Sequence, residues 1–347
     1  MLSKVFEDYK TRKYLLDTFS KYFGVNNMPY TNIPNMGLWA TYMSKIGINP
    51  NLYAPLRHAL IECSFFNIAF DGKDIDYKEL INQEQQAIAS NIDCLMIPCI
   101  RENNIASLLN KGYIPIPSFF NSIVKLSCEW QVHLKNSLSS RSCRDTMNEI
   151  REIEQNYVTE WIPLKDIVRN KSILTKIVGL YIQHAQKFDY PAIMYTQEIL
   201  EHLENSIYSQ YFYICLIYLE KHLVYMSLSF VDFKSSYFAF LVVGINRLIV
   251  PHNHNLYKYG YIANYKFMQE QGLTIMDMTR GFVKEKIRMG ANKIDLLYTY
   301  LKPLTSEAKL YVSHLKKKSE IIIENNNNYR NCSVNGINLR DCISKLS

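Results

Sequence analysis

One stretch, residues 235–291, constrains the fold more than any other. It opens with Ser235-Ser-Tyr-Phe-Ala-Phe-Leu-Val-Val-Gly244, an apolar, aromatic and β-branched run with the length of a strand. A polar connection follows, Pro251-His-Asn-His-Asn255. Residues 258–271 then read as a helix whose buried stripe is Tyr261, Ile262, Tyr265 and Met268. Gly272 stops that helix, and residues 273–278 read as a second short strand. Strand, helix, strand in this order implies a crossover between neighbouring parallel strands. Ligands of such sheets bind beyond the carboxyl ends of the strands. Asp277, Arg280 and Lys286 stand at that end.

The residues before this unit extend the pattern. Runs 211–219, 222–231 and 236–244 are strand-like and separated by short turns, so they are expected as antiparallel hairpins. In the middle run Val224, Met226, Leu228 and Phe230 alternate with Tyr225, Ser227 and Ser229, which predicts one apolar face. Upstream, residues 158–162 read as a strand, 171–188 as a helix, and Thr196 as the N-cap of a further helix to about residue 209. Residues 294–301 are expected as the last strand of this second half, and 306–318 as the last helix. The tail from Ser319, with its Asn325–Asn328 run, is expected to be disordered. The first half reads as a helix at 76–90, a strand at 93–98, a helix at 102–111 closed by Gly112, and strands at 113–116 and 122–126. Ahead of it come an amphipathic helix at 4–23, an Asn/Pro loop at 26–35, a short helix at 39–46 and a strand or buried segment at 59–68.

Composition narrows the function class. A net charge of +7, spread along the chain, suits an anionic ligand such as a nucleotide-containing cofactor. It lacks the clustered basic stripe that DNA recognition requires. No secretory leader and no apolar run of membrane-spanning length is visible, so a cytoplasmic protein without a transmembrane segment is expected. The 8 cysteines form no Cys-x-x-Cys pair, so reduced thiols and no metal site are expected.

Asp277-x-x-Arg280-Gly281, with Lys286 and then Gly290-Ala291, resembles the Asp-Phe-Gly-Arg-Gly…Tyr-Lys…Gly-Ala signature of the cellulose-biosynthesis-type (CelD/BcsL-like) acetyltransferases. These belong to the GNAT acyltransferase superfamily and are related to the Fem aminoacyl-transferases. A second resemblance lies in Leu134-x-x-Ser137-Leu-Ser-Ser-Arg141-x-x-Arg144, which is similar to the segment joining the halves of those proteins. The chain departs from the pattern at Thr279, where the family has Gly, and at Asn255-Leu256-Tyr257, where the family has a Ser-Pro-Gly turn. The resemblance covers residues 80–305.

The resemblance implies an α/β fold of two tandem GNAT-like halves, with mixed, mostly antiparallel sheets and crossover helices. The division expected is 1–130 for the first half, 131–156 for a charged connecting helix, 157–318 for the acyltransferase half and 319–347 for the tail. The implied activity is transfer of an acyl group from acyl-CoA, most simply acetyl-CoA, to an amine or hydroxyl on a small molecule or a cell-envelope precursor. No permanently bound cofactor is implied. Asp277, Arg280 and Lys286 are the candidate catalytic residues. Lys258, Gly260 and Gly281 are candidates for the donor, because a helix N-terminus attracts a pyrophosphate. Arg141, Arg144 and His254 are candidates for the acceptor, with either His252 or His254 also a candidate base. Each has a plainer reading: a solvated face for the arginines, an ordinary amphipathic helix around Gly260, and a loop-fixing ion pair for Asp277. The function has alternatives as well: a Fem-like transferase using aminoacyl-tRNA, and a GNAT-fold binding or scaffold protein without catalysis.

Overall fold

The protein is described here from a computed structural model, which covers residues 58–60, 69, 71–75, 77–89, 93–187, 195–205, 209–280, 283–325, 333–334 and 337–338. The elements expected at 4–23, 26–35 and 39–46, and Gly281, lie outside these residues. In chain order the elements are β1 (His58–Leu60), α1 (Tyr77–Ala89), β2 (Cys94–Ile100), α2 (Ala106–Leu109), β3 (Ile114–Lys125), α3 (Trp130–Ser137) and α4 (Ser140–Asn156). There follow β4 (Tyr157–Pro163), α5 (Leu164–Arg169), α6 (Lys171–Lys187), α7 (Gln197–Glu204), β5 (Phe212–Leu219), β6 (His222–Asp232) and β7 (Tyr237–Ile245). The last are α8 (Leu256–Glu270), β8 (Ile275–Arg280), α9 (Val283–Arg288), β9 (Lys293–Pro303) and α10 (Ser306–Asn325). The fold is mixed α/β, with mostly antiparallel strand pairing and helices on the sheet faces, as the sequence led us to expect.

Two compact units divide the chain. The first takes residues up to Asn121 and returns for Ile294–Ser333 and Asn338–Ser347, and the second takes Ser122–Lys293 with Val334–Ile337. In the first unit the strand order is β1-β2-β9-β3, with β1 parallel to β2 and β9 antiparallel to β2. This corrects the expectation for the last strand. β9 was expected among the strands of the second half, yet it pairs Met96 with Leu301 and Ile97 with Tyr300. A strand's own residues report its period and burial, not its partner. The helix expected at 102–111 shrinks to the single turn of α2. The Tyr300 hydroxyl takes the Ile105 N–H and donates to the Glu102 carbonyl, so those backbone groups are bonded outside any helix. The strands expected at 113–116 and 122–126 are one strand, β3. The last helix runs past Lys318 to Asn325, and Ser319, expected to open a disordered tail, is fully buried on it.

In the second unit the order β8-β7-β6-β5-β4 carries the expected hairpins. β5–β6 and β6–β7 are antiparallel, and β7–β8, joined through α8, are parallel. Side-chain caps fix the helix starts: Thr196 Oγ1 accepts the Ile199 N–H, and Asn255 Oδ1 accepts the Lys258 N–H. One expectation for β6 fails. Tyr225, Ser227 and Ser229 are as buried as the apolar positions between them. Helices cover both faces. Ile177, Val178, Tyr181 and Leu200 of α6 and α7 form an apolar layer against Ile214, Met226, Leu228 and Val242. On the other face α8 packs Gly260 against Tyr225 and stacks Phe267 on Trp161 at 4.2 Å.

Candidate active site

The parallel pairing of β7 and β8 is short. It covers Tyr237↔Ile275, Phe238↔Met276 and Ala239↔Asp277, although β7 continues to Ile245 and β8 to Arg280. Beyond Ala239 and Asp277 the strands separate. On its other edge β7 pairs Ser229 with Phe240 and Leu228 with Val242, so Leu241 is an inserted residue. A bulge of this kind bends a strand and sharpens its twist. It lies where β7 leaves β8, which gives a local cause for the divergence.

Asp277 sits at the point of separation and is fully buried. Its Oδ2 accepts the Tyr237 hydroxyl at 2.7 Å, and its Oδ1 accepts the backbone N–H of Thr279 at 2.7 Å. The second bond closes a tight turn that forces Thr279 to φ 61°. A β-branched residue is strained in that left-handed region, at a cost of order 1–2 kcal/mol. This is the position where the resembled signature has Gly. Thr279→Gly is therefore expected to raise stability in urea titration by up to about 1 kcal/mol, the relief exceeding the added chain entropy. A loss of stability instead would mean that the half-buried Thr279 side chain holds the turn by its packing.

The rest of the signature is built into a helix and its cap. Lys286 is buried on α9. Ala291 N–H donates to the Lys286 carbonyl and Gly290 N–H to that of Ile287, with Gly290 at φ 98°. That is the Schellman closure of α9, and it needs Gly. The closure is tied down on both sides. His133 Nε2 lies 2.7 Å from the Gly290 carbonyl oxygen, and the Tyr265 hydroxyl donates to the Met289 carbonyl at 2.7 Å. Arg280 ends β8.

The start of α8 is already occupied by the chain's own carboxylates. Glu149 of α4 accepts from the Asn255 N–H at 3.2 Å and from Lys258 Nζ at 2.8 Å. Glu152 accepts from Asn253 Nδ2 and lies 3.2 Å from His254 Nε2, whose Nδ1 is 2.9 Å from the Tyr157 hydroxyl. Glu154 pairs with Lys266 further along α8. So Lys258 and His254, expected at donor and acceptor, are brought together by α4. Gly260 faces the Tyr225 hydroxyl, which lies where a side chain would begin. Arg141 and Arg144 stand exposed at the N-terminal end of α4, each 3.8 Å from Asp145.

The tyrosines of α8 stay protonated. Burial raises the Tyr257, Tyr261 and Tyr265 phenols above their ordinary range. The Tyr257 and Tyr261 hydroxyls are 3.1 Å apart, and the Tyr261 ring lies 5.2 Å from Phe240, on the stretch of β7 that has left β8. They are proton donors beside the opening rather than phenolates. Sequence reasoning missed Tyr237, Glu149 and the bulge at Leu241. Tyr237 was recoverable in principle, since a parallel register pairing Ala239 with Asp277 puts it diagonally across from that carboxylate.

No protein-family model matches the sequence, and no curated protein matches it. Solved structures do resemble the fold. The C-terminal domain (DUF2156) of a putative lysylphosphatidylglycerol synthetase from Agrobacterium fabrum aligns with 69% of this chain and 78% of its own, at 6% identity and a TM-score of 0.48. L-PGS from Bacillus licheniformis aligns with 69% and 77%, at 10% identity and a TM-score of 0.49. A tandem GNAT protein from the clavulanic acid biosynthesis pathway aligns with 65% and 69%, at 9% identity and a TM-score of 0.41. Each likeness is one of fold.

Proposed function

We propose that the second unit is an acyltransferase of GNAT type that takes its acyl-thioester donor in the opening between β7 and β8. The observation that carries this reading is the divergence at Ala239 and Asp277, next to the bulge at Leu241. Strand edges that part in this way offer backbone N–H and C=O groups to an extended, amide-bearing arm, as in strand addition. A pantetheine thioester has such an arm. A backbone N–H at the bulge is suited to the oxyanion that develops on the thioester carbonyl. An amine or hydroxyl attacks that carbon, a C–N or C–O bond forms and the C–S bond breaks. The nucleophile's proton leaves to a base, and the departing thiolate takes a proton. Tyr257, protonated and bonded to Tyr261, is our candidate for that acid.

Asp277 in this reading positions rather than reacts. It is fully buried and holds Tyr237 and the Thr279 turn at the base of the opening. Acyl-CoA is the proposed donor, acetyl-CoA the simplest case, and a small molecule or cell-envelope precursor the proposed acceptor. Because Glu149 already satisfies the Asn255 N–H and Lys258, binding strength is assigned to the strand opening rather than to the α8 terminus.

A thermal-shift panel with CoA, acetyl-CoA and long-chain acyl-CoAs tests this. A ligand of the folded state raises the melting temperature by mass action, about 2.7 kcal/mol at a hundredfold excess over Kd. The expected result is a shift that differs between CoA and its thioesters. No shift at millimolar concentration with any of them rules out the acyl-CoA donor. Repeating the panel with charged tRNA then separates an aminoacyl donor from a protein without catalysis.

A further inference from the structure

The end of the second unit at which β7 finishes carries an exposed apolar turn. The register Tyr225↔Ile245 and the bond from Asn246 N–H to the Val224 carbonyl seat this turn against the start of β6. Leu248 N–H donates to Asn246 Oδ1 at 3.1 Å, so a side-chain turn holds Leu248 outward. Leu248 is 94% exposed and Ile249 41%. Val158, on the edge strand β4, is 56% exposed and pairs with Tyr218 just before the β5–β6 turn, at the same end of the sheet.

Three basic residues stand at this end of the unit, while Glu152 of α4, a carboxylate facing the β7–α8 connection, is engaged by Asn253 and His254. Arg247 precedes Leu248 directly, and Lys221 lies in the β5–β6 turn beside Glu220, the acid of that turn. Lys187 ends α6, whose Leu180 and Tyr181 backbone packs against Gly244 at the close of β7, so Lys187 and Arg247 lie toward the same end. Single exposed apolar residues need no explanation. An outward Leu-Ile tip with Arg247, Lys187 and Lys221 at the same end of the unit is a different arrangement. A stable protein interface buries about 800 Å² on each partner, more than these side chains can supply. A bilayer asks for less: an apolar tip that enters the interfacial layer and cations at the level of the phosphates.

We propose that this end of the second unit docks on an anionic phospholipid surface, with Leu248 and Ile249 inserted and Arg247, Lys187 and Lys221 facing the lipid phosphates. The opening between β7 and β8 widens toward the same end, because both strands run parallel and part beyond Ala239 and Asp277. Docking would therefore bring the opening close to molecules held in the membrane. The docking itself does not depend on the chemistry proposed above.

Vesicle flotation of the full chain tests the proposal, using phosphatidylglycerol/phosphatidylcholine vesicles and phosphatidylcholine vesicles at about 0.1 M salt, where charges are screened beyond roughly 10 Å. Binding to the anionic vesicles is expected to be at least about tenfold stronger than to neutral ones, since each basic residue near the surface is worth roughly fivefold. Leu248→Asp combined with Ile249→Asp is expected to lower binding at least about tenfold, and Arg247→Glu to lower it and steepen nothing further with salt. Phe233→Asp is the control. Phe233 is 44% exposed in the β6–β7 turn, at the other end of these strands, and its substitution should leave binding unchanged. All these positions are exposed, so melting temperatures should stay at the wild-type value. No flotation with anionic vesicles overturns the proposal, as does flotation that the Leu248/Ile249 double variant retains or that Phe233→Asp reduces equally. Light scattering without lipid covers the remaining case: self-association abolished by the double variant would make the tip a protein contact.

Discussion

Gly260→Ala is expected to destabilise the protein by about 3 kcal/mol, the upper range for overpacking a filled core. A Cβ at this position would lie 2.0 Å from Tyr225 Oη, 2.5 Å from its Cζ and 2.9 Å from its Cε2. The tyrosine cannot swing away, because Tyr225 is fully buried on β6, which is itself paired on both sides. Alanine's better helix propensity returns at most about 1 kcal/mol. A double-mutant cycle with Tyr225→Leu, read by urea unfolding, isolates the clash. Shortening Tyr225 leaves room for the new methyl, so the two substitutions should be non-additive by at least about 1 kcal/mol. The cycle also decides what Gly260 is for. Lost donor binding at unchanged stability would mean that its bare Cα serves ligand approach, as the sequence led us to expect. A large loss rescued by Tyr225→Leu makes it a packing residue.

Acidification should weaken the fold through His184. Burial, followed by the charges of Arg247 and Lys187, lowers this imidazole from 6.5 to about 4. Between those values the unfolded chain binds a proton at His184 and the native protein does not. The contribution is therefore complete above pH 6.5, is lost as pH falls toward 4, and levels off below that. A shift of this size corresponds to about 3 kcal/mol. His133, lowered mainly by burial, acts in the same direction. Unfolding free energies measured between pH 7.5 and 4.5, a range of about three units around the ordinary His value, should fall with a slope near one proton. His184→Gln should flatten most of that slope. A slope that the variant retains would assign the effect to His133 or to the carboxylates.

The elements were largely legible in the sequence, and their partners were not. The cap at Thr196 and the stops at Gly112 and Gly272 are local chemistry. Each needs only a side-chain oxygen or a residue at ease with positive φ. The β5–β6–β7 hairpins followed from short turns. The site depended on contacts that no local pattern encodes. Asp277 meets Tyr237 forty residues away, and Lys258 meets Glu149 across 109. Thr279 stood out as a departure from a glycine position, and the structure shows the departure to be a strained one. The second polar face of β6 misled for a physical reason. Alternation reports which face is more apolar, and it does not reveal that a helix covers the other face too.

The position of β9 sets an order of events during synthesis. In the first unit β9 lies between β2 and β3, so those strands lack their central neighbour until Pro303 has been made. The second unit needs no such wait, since its strands β4 to β8 all lie within Ser122–Lys293. It can form on the ribosome while the first unit's strands, already translated, still have open edges. Those edges are the part of the nascent chain most exposed to mispairing. Chains interrupted between residues 293 and 303 should accordingly carry a folded second unit and an unfinished first one, the kind of species that chaperones retain.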